Sequence, residues 1–132
     1  MKKLILLLLI IASLPTFAQS NISVNLCGNE ANITVKEKAD EAFMTQKQIL
    51  DCLELTASDK NWTVVSFQFA TTSEGVVYEF KAKGNKIDDR MTALIKKHNL
   101  DKIYLEHIEL VSKDGASKEV KPLILKIRKL KS

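Results

Sequence analysis

Val64-Val65-Ser66-Phe67-Gln68-Phe69, followed after a short break by Val76-Val77-Tyr78-Glu79-Phe80, decides how this chain folds. In the first stretch Val65, Phe67 and Phe69 alternate with Val64, Ser66 and Gln68. β-Branched and aromatic residues at period two fit a pleated, half-buried surface. In the second, Val76, Tyr78 and Phe80 share one face, while Glu79 and Lys81 take the other. Residues 71–75, ending in Gly75, turn the chain between them. Two adjacent strands with a glycine turn make an antiparallel hairpin, so the domain is built on β-structure.

Downstream, Gly84-Asn85 stops the second strand. Asp88 or Asp89 caps a helix over about 88–98, because Met91, Leu94 and Ile95 fall at i, i+3 and i+4. Lys96, Lys97 and His98 complement the dipole at its end, and Asn99 offers a left-handed stop. Ile103 and Leu105 point one way along the next strand. Ile108 and Leu110 are out of phase with them, which predicts a β-bulge near Glu106-His107. Asp114-Gly115 turns the chain into a closing strand of Leu123, Leu125 and Ile127. Pro122 cannot donate to a ladder and belongs at an edge or a strand start.

Upstream, Asp59-Lys60-Asn61 is a turn. Thr45 and Gln48 form a capping box, with Met44 and Ile49 placed for a hydrophobic staple across it. This predicts a short helical turn near 46–51, then a short strand through Leu53 and Leu55. Ile22, Val24 and Leu26 read as a strand. Gly28-Asn29 is a turn, and Ile33 and Val35 read as the return strand of a hairpin. The linker, if there is one, is the charged stretch 36–41. Together these elements predict an α+β fold, mainly β, with antiparallel sheets in a sandwich-like arrangement and one clear helix.

The chain begins with Met1-Lys2-Lys3, an apolar run over 4–12, a break at Leu14-Pro15, and then Thr16-Phe17-Ala18. A charged start, a short apolar middle and a small-residue cleavage site describe a secretory signal peptide over 1–18. The apolar run is far shorter than the ~20 residues of a membrane span. No second apolar run of membrane length follows, so no transmembrane span is expected after cleavage. Residues 19–132 suffice for a single domain. Of the 20 basic residues against 16 acidic ones, two lie in the leader, so the rest is only mildly basic. Export argues against nucleic acid as a ligand. It also favours a disulfide between Cys27 and Cys52 over two buried thiols. In the chain-entropy account that loop contributes roughly 3.5 kcal/mol.

The chemical candidates are sparse. His98 sits at a helix end and His107 near a bulge, with no nucleophile spacing around either. Asp88-Asp89 is explained by helix capping. Ser66 and Ser73 lie in no nucleophile elbow, and there is no glycine-rich phosphate loop. Two distant cysteines and two histidines match no zinc spacing. No catalytic, cofactor or metal site is therefore expected, and the chain does not read as an enzyme. Asn32-Ile33-Thr34 and Asn61-Trp62-Thr63 match the glycosylation sequon. Trp62, the one tryptophan, reads as packing. The basic end (Lys121, Lys126, Arg128, Lys129, Lys131) reads as a wet strand face, with an anionic partner as the competing reading.

Gly84-Asn85 through Asp88, Met91-Thr92 and Ile95-Lys96-Lys97 carry a family resemblance. So do Asp101-Lys102-Ile103-Tyr104-Leu105-Glu106, Asp114-Gly115, Lys121-Pro122-Leu123 and Leu125-Lys126-Ile127. This series resembles the C-terminal periplasmic domain family of the gliding-motility protein GldM, a component of the type IX secretion machinery. The likeness covers about 44–130. That motor protein has an N-terminal transmembrane helix and further domains, unlike this chain, so a motor-coupling role does not carry over. The resemblance implies a non-enzymatic, exported protein–protein interaction domain of the cell envelope, in the periplasm, at the outer membrane or secreted. Its partner is an envelope protein or a second copy of the chain, met through an exposed sheet edge. The alternative is a small-ligand-binding periplasmic β domain, which needs a concave pocket.

Overall fold

The computed structural model describes residues 22–27 and 33–129. The signal-peptide segment, the Gly28-Asn29 turn, Asn32 and Lys131 lie outside the described residues. The class is α+β, mainly β: a mixed seven-stranded sheet, a small antiparallel sheet and two helices.

The strands are β1 (Val24–Leu26), β2 (Ile33–Thr34), β3 (Asp40–Thr45), β4 (Leu55–Ala57), β5 (Trp62–Ser73), β6 (Val76–Lys83), β7 (Lys102–Ser112), β8 (Ser117–Val120) and β9 (Leu123–Arg128). The helices are α1 (Gln46–Leu50) and α2 (Asp89–Lys97). The large sheet runs β2-β3-β9-β7-β5-β6, with β8 also on β7. Its pairings are antiparallel except for β3 with β9, which is parallel.

The 64–80 hairpin is longer and tighter than its composition predicts. β5 continues to Ser73, opposite Val76. Only Glu74 and Gly75 make the turn, both at positive φ (52° and 80°). Positive φ at both central residues is the type I′ turn, whose twist matches that of the flanking strands. Gly75 takes this conformation without a Cβ penalty.

The phase change in β7 falls where the sequence puts it. Ile103, Leu105, Ile108 and Leu110 are all fully buried, and His107 between the pairs has φ 48°. β5 carries a second irregularity that its alternation does not reveal. Its register to β7 shifts between Val64 and Ser66 and again between Ser66 and Gln68. Val64 is consequently the buried residue, and Val65, expected inward, is 36% exposed. The two irregularities compensate, so Phe67 and Phe69 still reach the core.

The N-terminal hairpin expected between residues 22–26 and 33–35 does not form. β1 pairs with β4 (Leu26 opposite Leu55), whereas β2 pairs with β3. All three residues of β1 are buried, including Asn25. A strand buried on both faces needs cover that exposed Thr34 and Val35 cannot give. Cys27 and Cys52 are disulfide-bonded, with Cα atoms 5.9 Å apart. The Cys27 amide donates to the Glu54 carbonyl, so the bond closes the end of the β1–β4 pair. Thr56 donates to the Asn25 side-chain oxygen at 2.7 Å.

Both helices start as their caps dictate. The Thr45 hydroxyl accepts from the Gln48 amide and the Gln48 side chain accepts from the Thr45 amide, closing the capping box. The Asp88 carboxylate accepts from the amides of Arg90 and Met91. α2 ends at His98 in an extended conformation. Asn99 therefore provides no left-handed stop. Met91, Leu94 and Ile95 of α2 join Ile49, Leu26, Leu55, Phe69, Ile103, Leu105 and Leu125 in one buried cluster. The inner face of the large sheet is thus covered by the helices and the small sheet.

Candidate functional site

β6 is the terminal strand of the large sheet, and among the described residues no strand pairs with its outer side. A two-residue hairpin loop closes on a pair that exchanges both backbone hydrogen bonds. Ser73 and Val76 are that pair. The Gly84 amide donates to the Val65 carbonyl at 2.6 Å, which extends the same series to the far end of the strand. By alternation Val76, Tyr78, Phe80 and Ala82 turn their backbone groups to β5. Val77, Glu79, Lys81 and Lys83 turn theirs outward, away from the sheet.

Side chains finish this edge unevenly. At the turn end Val76 is 49% and Val77 is 63% exposed. At the other end the Arg90 guanidinium donates to the Lys81 carbonyl at 2.9 Å and lies 5.0 Å from the centre of the Phe80 ring. Arg90 is held there by Asp88, with Nη2 2.8 Å from Oδ2. That contact, with the two capping amides, holds the Asp88 carboxyl below the usual carboxylate range despite partial burial. One aspartate thus caps α2 and fixes the arginine that covers one outward carbonyl. Among the described residues nothing covers the outward groups of Val77 and Glu79 in this way. The Glu79 side chain accepts from the Gln68 side chain on the outer face.

The sequence candidates do not converge into one site. Nδ1 of His98 lies 3.0 Å from the Ser73 hydroxyl, and its ring lies 5.5 Å from that of Tyr78. The pair ties the end of α2 to the 73–76 hairpin. Among the described residues no carboxylate forms an ion pair with His98. Sequence reading passed over this contact because 25 residues separate the partners. His107 is exposed on the bulge, 3.7 Å from Glu119. Asp88 is a cap and Arg90 anchor. Ser66 lies in the irregular stretch of β5. Trp62 opens β5 with Lys118 over its ring.

The basic end is largely engaged inside the fold. Lys121 pairs with buried Asp40 at 3.1 Å. Lys126 pairs with Glu41 at 3.0 Å, as Lys36 does. Lys126 first and Lys36 second lower the Glu41 pKa from its ordinary value. Lys129 donates to the Leu100 carbonyl and the Asn99 side chain. Arg128 lies 5.6 Å from the centre of the Phe43 ring. A cleft of about 480 Å³ opens at this end of the sheet, lined by Gln46, His98, Asn99, Ile127, Arg128 and Lys129 among others.

No protein-family model matches the chain, and no curated protein matches it in sequence.

Proposed function

We propose that this chain is a non-enzymatic, exported interaction domain of the cell envelope that meets its partner through the β6 edge. The observation that carries the reading is the outward row of backbone groups on an eight-residue strand, flanked by exposed Val76 and Val77. Strand addition draws affinity from main-chain hydrogen bonds and specificity from alternate side chains. The outward amides and carbonyls of Val77 and Glu79, which no described residue covers, supply the first of these. The resemblance to the GldM C-terminal domain supports the same reading from the quoted residues, with a contact role and no catalytic residues to transfer.

The test is crosslinked capture from the native envelope, with the wild-type chain and a Val77→Pro variant as baits. Proline at 77 removes an outward amide without breaking the ladder to β5. The expected result is an envelope protein recovered in stoichiometric amount by the wild type and lost by the variant. Equal recovery by both baits sinks the edge reading.

The cleft at Gln46, His98 and Arg128 favours a second reading, a small-ligand-binding domain. Its size suits a small molecule, and Arg128 offers a fork for a carboxylate. Nuclear magnetic resonance titration with acetate and inorganic phosphate tests it. Saturable shifts centred on His98 and Arg128 support this reading, and unmoved resonances dismiss it.

A further inference from the structure

The charge and shape of the β6 edge complement themselves. We propose that its partner is a second copy of this chain, paired antiparallel about a two-fold axis at Tyr78. The inference rests on the edge reading above and names the occupant.

An axis can sit on any residue of the strand. At Val77 it leaves Glu79 opposite the partner's Gly75 in the turn, and at Lys81 or Ala82 it needs the carbonyls that Arg90 covers. At Glu79 or Phe80 it is disfavoured by what lies on the edge. An axis at Glu79 sets that carboxylate against its own copy, and like charges directly opposite destabilise a sheet pair. An axis at Phe80 brings together the two Arg90 guanidinia, each 5.0 Å from a Phe80 ring. It also needs the Lys81 carbonyls that Arg90 already occupies.

An axis at Tyr78 avoids both. Val77 then faces the partner's Glu79 and Glu79 faces the partner's Val77. Each of these pairs exchanges two backbone hydrogen bonds, so the outward groups without cover are the ones used. Tyr78 meets the partner's Tyr78 as a close, non-hydrogen-bonded pair, and Val76 meets the partner's Phe80. Aromatic pairs and aromatic–β-branched pairs stabilise adjacent strands. The exposed valines are covered in the process. Lys81 falls opposite the partner's Gly75, at the end of the ladder, where Arg90 keeps its hydrogen bond. The exposed turn carboxylate of Glu74 arrives beside the partner's Lys81 and Arg90. Opposite charges flank the axis on both sides.

A contact of this length falls in the small, transient class of interfaces, so the dimer is reversible and concentration-dependent. The experiment is sedimentation equilibrium of the purified chain across a wide concentration range, beside Val77→Pro. Wild-type mass should rise toward twice the monomer while Val77→Pro stays monomeric with an unchanged circular dichroism spectrum. Glu74→Lys should weaken the dimer, and adding Lys81→Glu should restore it. Under oxidation Tyr78→Cys should give a covalent dimer and Lys81→Cys should not, because only the axis position meets itself. A wild type that stays monomeric throughout overturns the proposal, as does a dimer that Val77→Pro leaves intact. A monomeric wild type whose capture of an envelope protein depends on Val77 overturns self-pairing alone and leaves the edge reading standing. If capture also fails to depend on Val77, both fall.

Discussion

The two margins of the large sheet are finished in opposite ways. On the β2 side the final strand has two residues, Ile33–Thr34. The strands behind it are laced by charge. Lys121 reaches buried Asp40, and Lys36 and Lys126 share Glu41. On the β6 side the final strand has eight residues, and one arginine covers one of its carbonyls. A short, charged margin discourages further pairing, whereas a long one with exposed valines invites it. Charge on one margin locks the chain internally, while on the other it leaves the backbone available.

Substitutions at the two margins should therefore read out differently. The largest effect is expected from Lys121→Met. It leaves the Asp40 carboxylate, whose side chain is 4% exposed, without its ion-pair partner and with the Lys36 amide donating to it at 3.4 Å, while the lysine itself is 37% exposed. Removing one partner of a fully buried pair destabilises by 3–5 kcal/mol. The exposed lysine places this case lower, at about 2 kcal/mol, measurable by urea denaturation. A value near zero would mean that the charged margin locks nothing. Asp88→Ala comes next. Loss of the α2 cap should lower stability by about 1 kcal/mol. It also releases Arg90 from its place beside Lys81, where the paired edge would bring the partner's Glu74, so association through β6 should weaken in sedimentation. Destabilisation with no change in association would separate the cap from the edge.

The third contrast is with pH. The folded-state pKa of Glu41 is depressed below 4.5 by Lys126 and Lys36. Its contribution is present above the unfolded value and is lost as pH falls through the lower folded value. Wild type and Glu41→Gln should differ modestly at neutral pH and converge in acid, in paired urea titrations. A gap that persists at pH 2 would mean the substitution acts by packing. The smallest effect is expected from Val77→Thr, within about 0.5 kcal/mol, because that residue is 63% exposed among the described residues. A larger loss would show that β6 depends on a contact beyond the described ones.

Much of this was legible locally. The capping box at Thr45 and Gln48, the helix started by Asp88, and the bulge at His107 each declare themselves within a few residues. Short-range hydrogen bonding and periodicity determine them. Other features depend on residues far away in sequence. Val65 lies outward because a shift in β5 answers one in β7. β1 ignores the nearest strand and joins β4, beside the Cys27–Cys52 bond. The acids of β3 meet lysines that follow roughly eighty residues later, so a basic tail read alone resembles an anion-binding surface. The Ser73–His98 contact and the freedom of the β6 edge likewise come from tertiary placement. No composition signal marks a strand as terminal.

The parallel pairing of β3 with β9 has a consequence for the order of events in folding. β9 is the last described strand in sequence, yet it lies between β3 and β7. Until it arrives, the first part of the sheet has nothing to join, and the β6-β5-β7 unit has an open flank. Contacts between such distant segments slow folding because loop closure must come before the reward. The large sheet is thus joined into one only when β9, the last of the described strands, docks between β3 and β7.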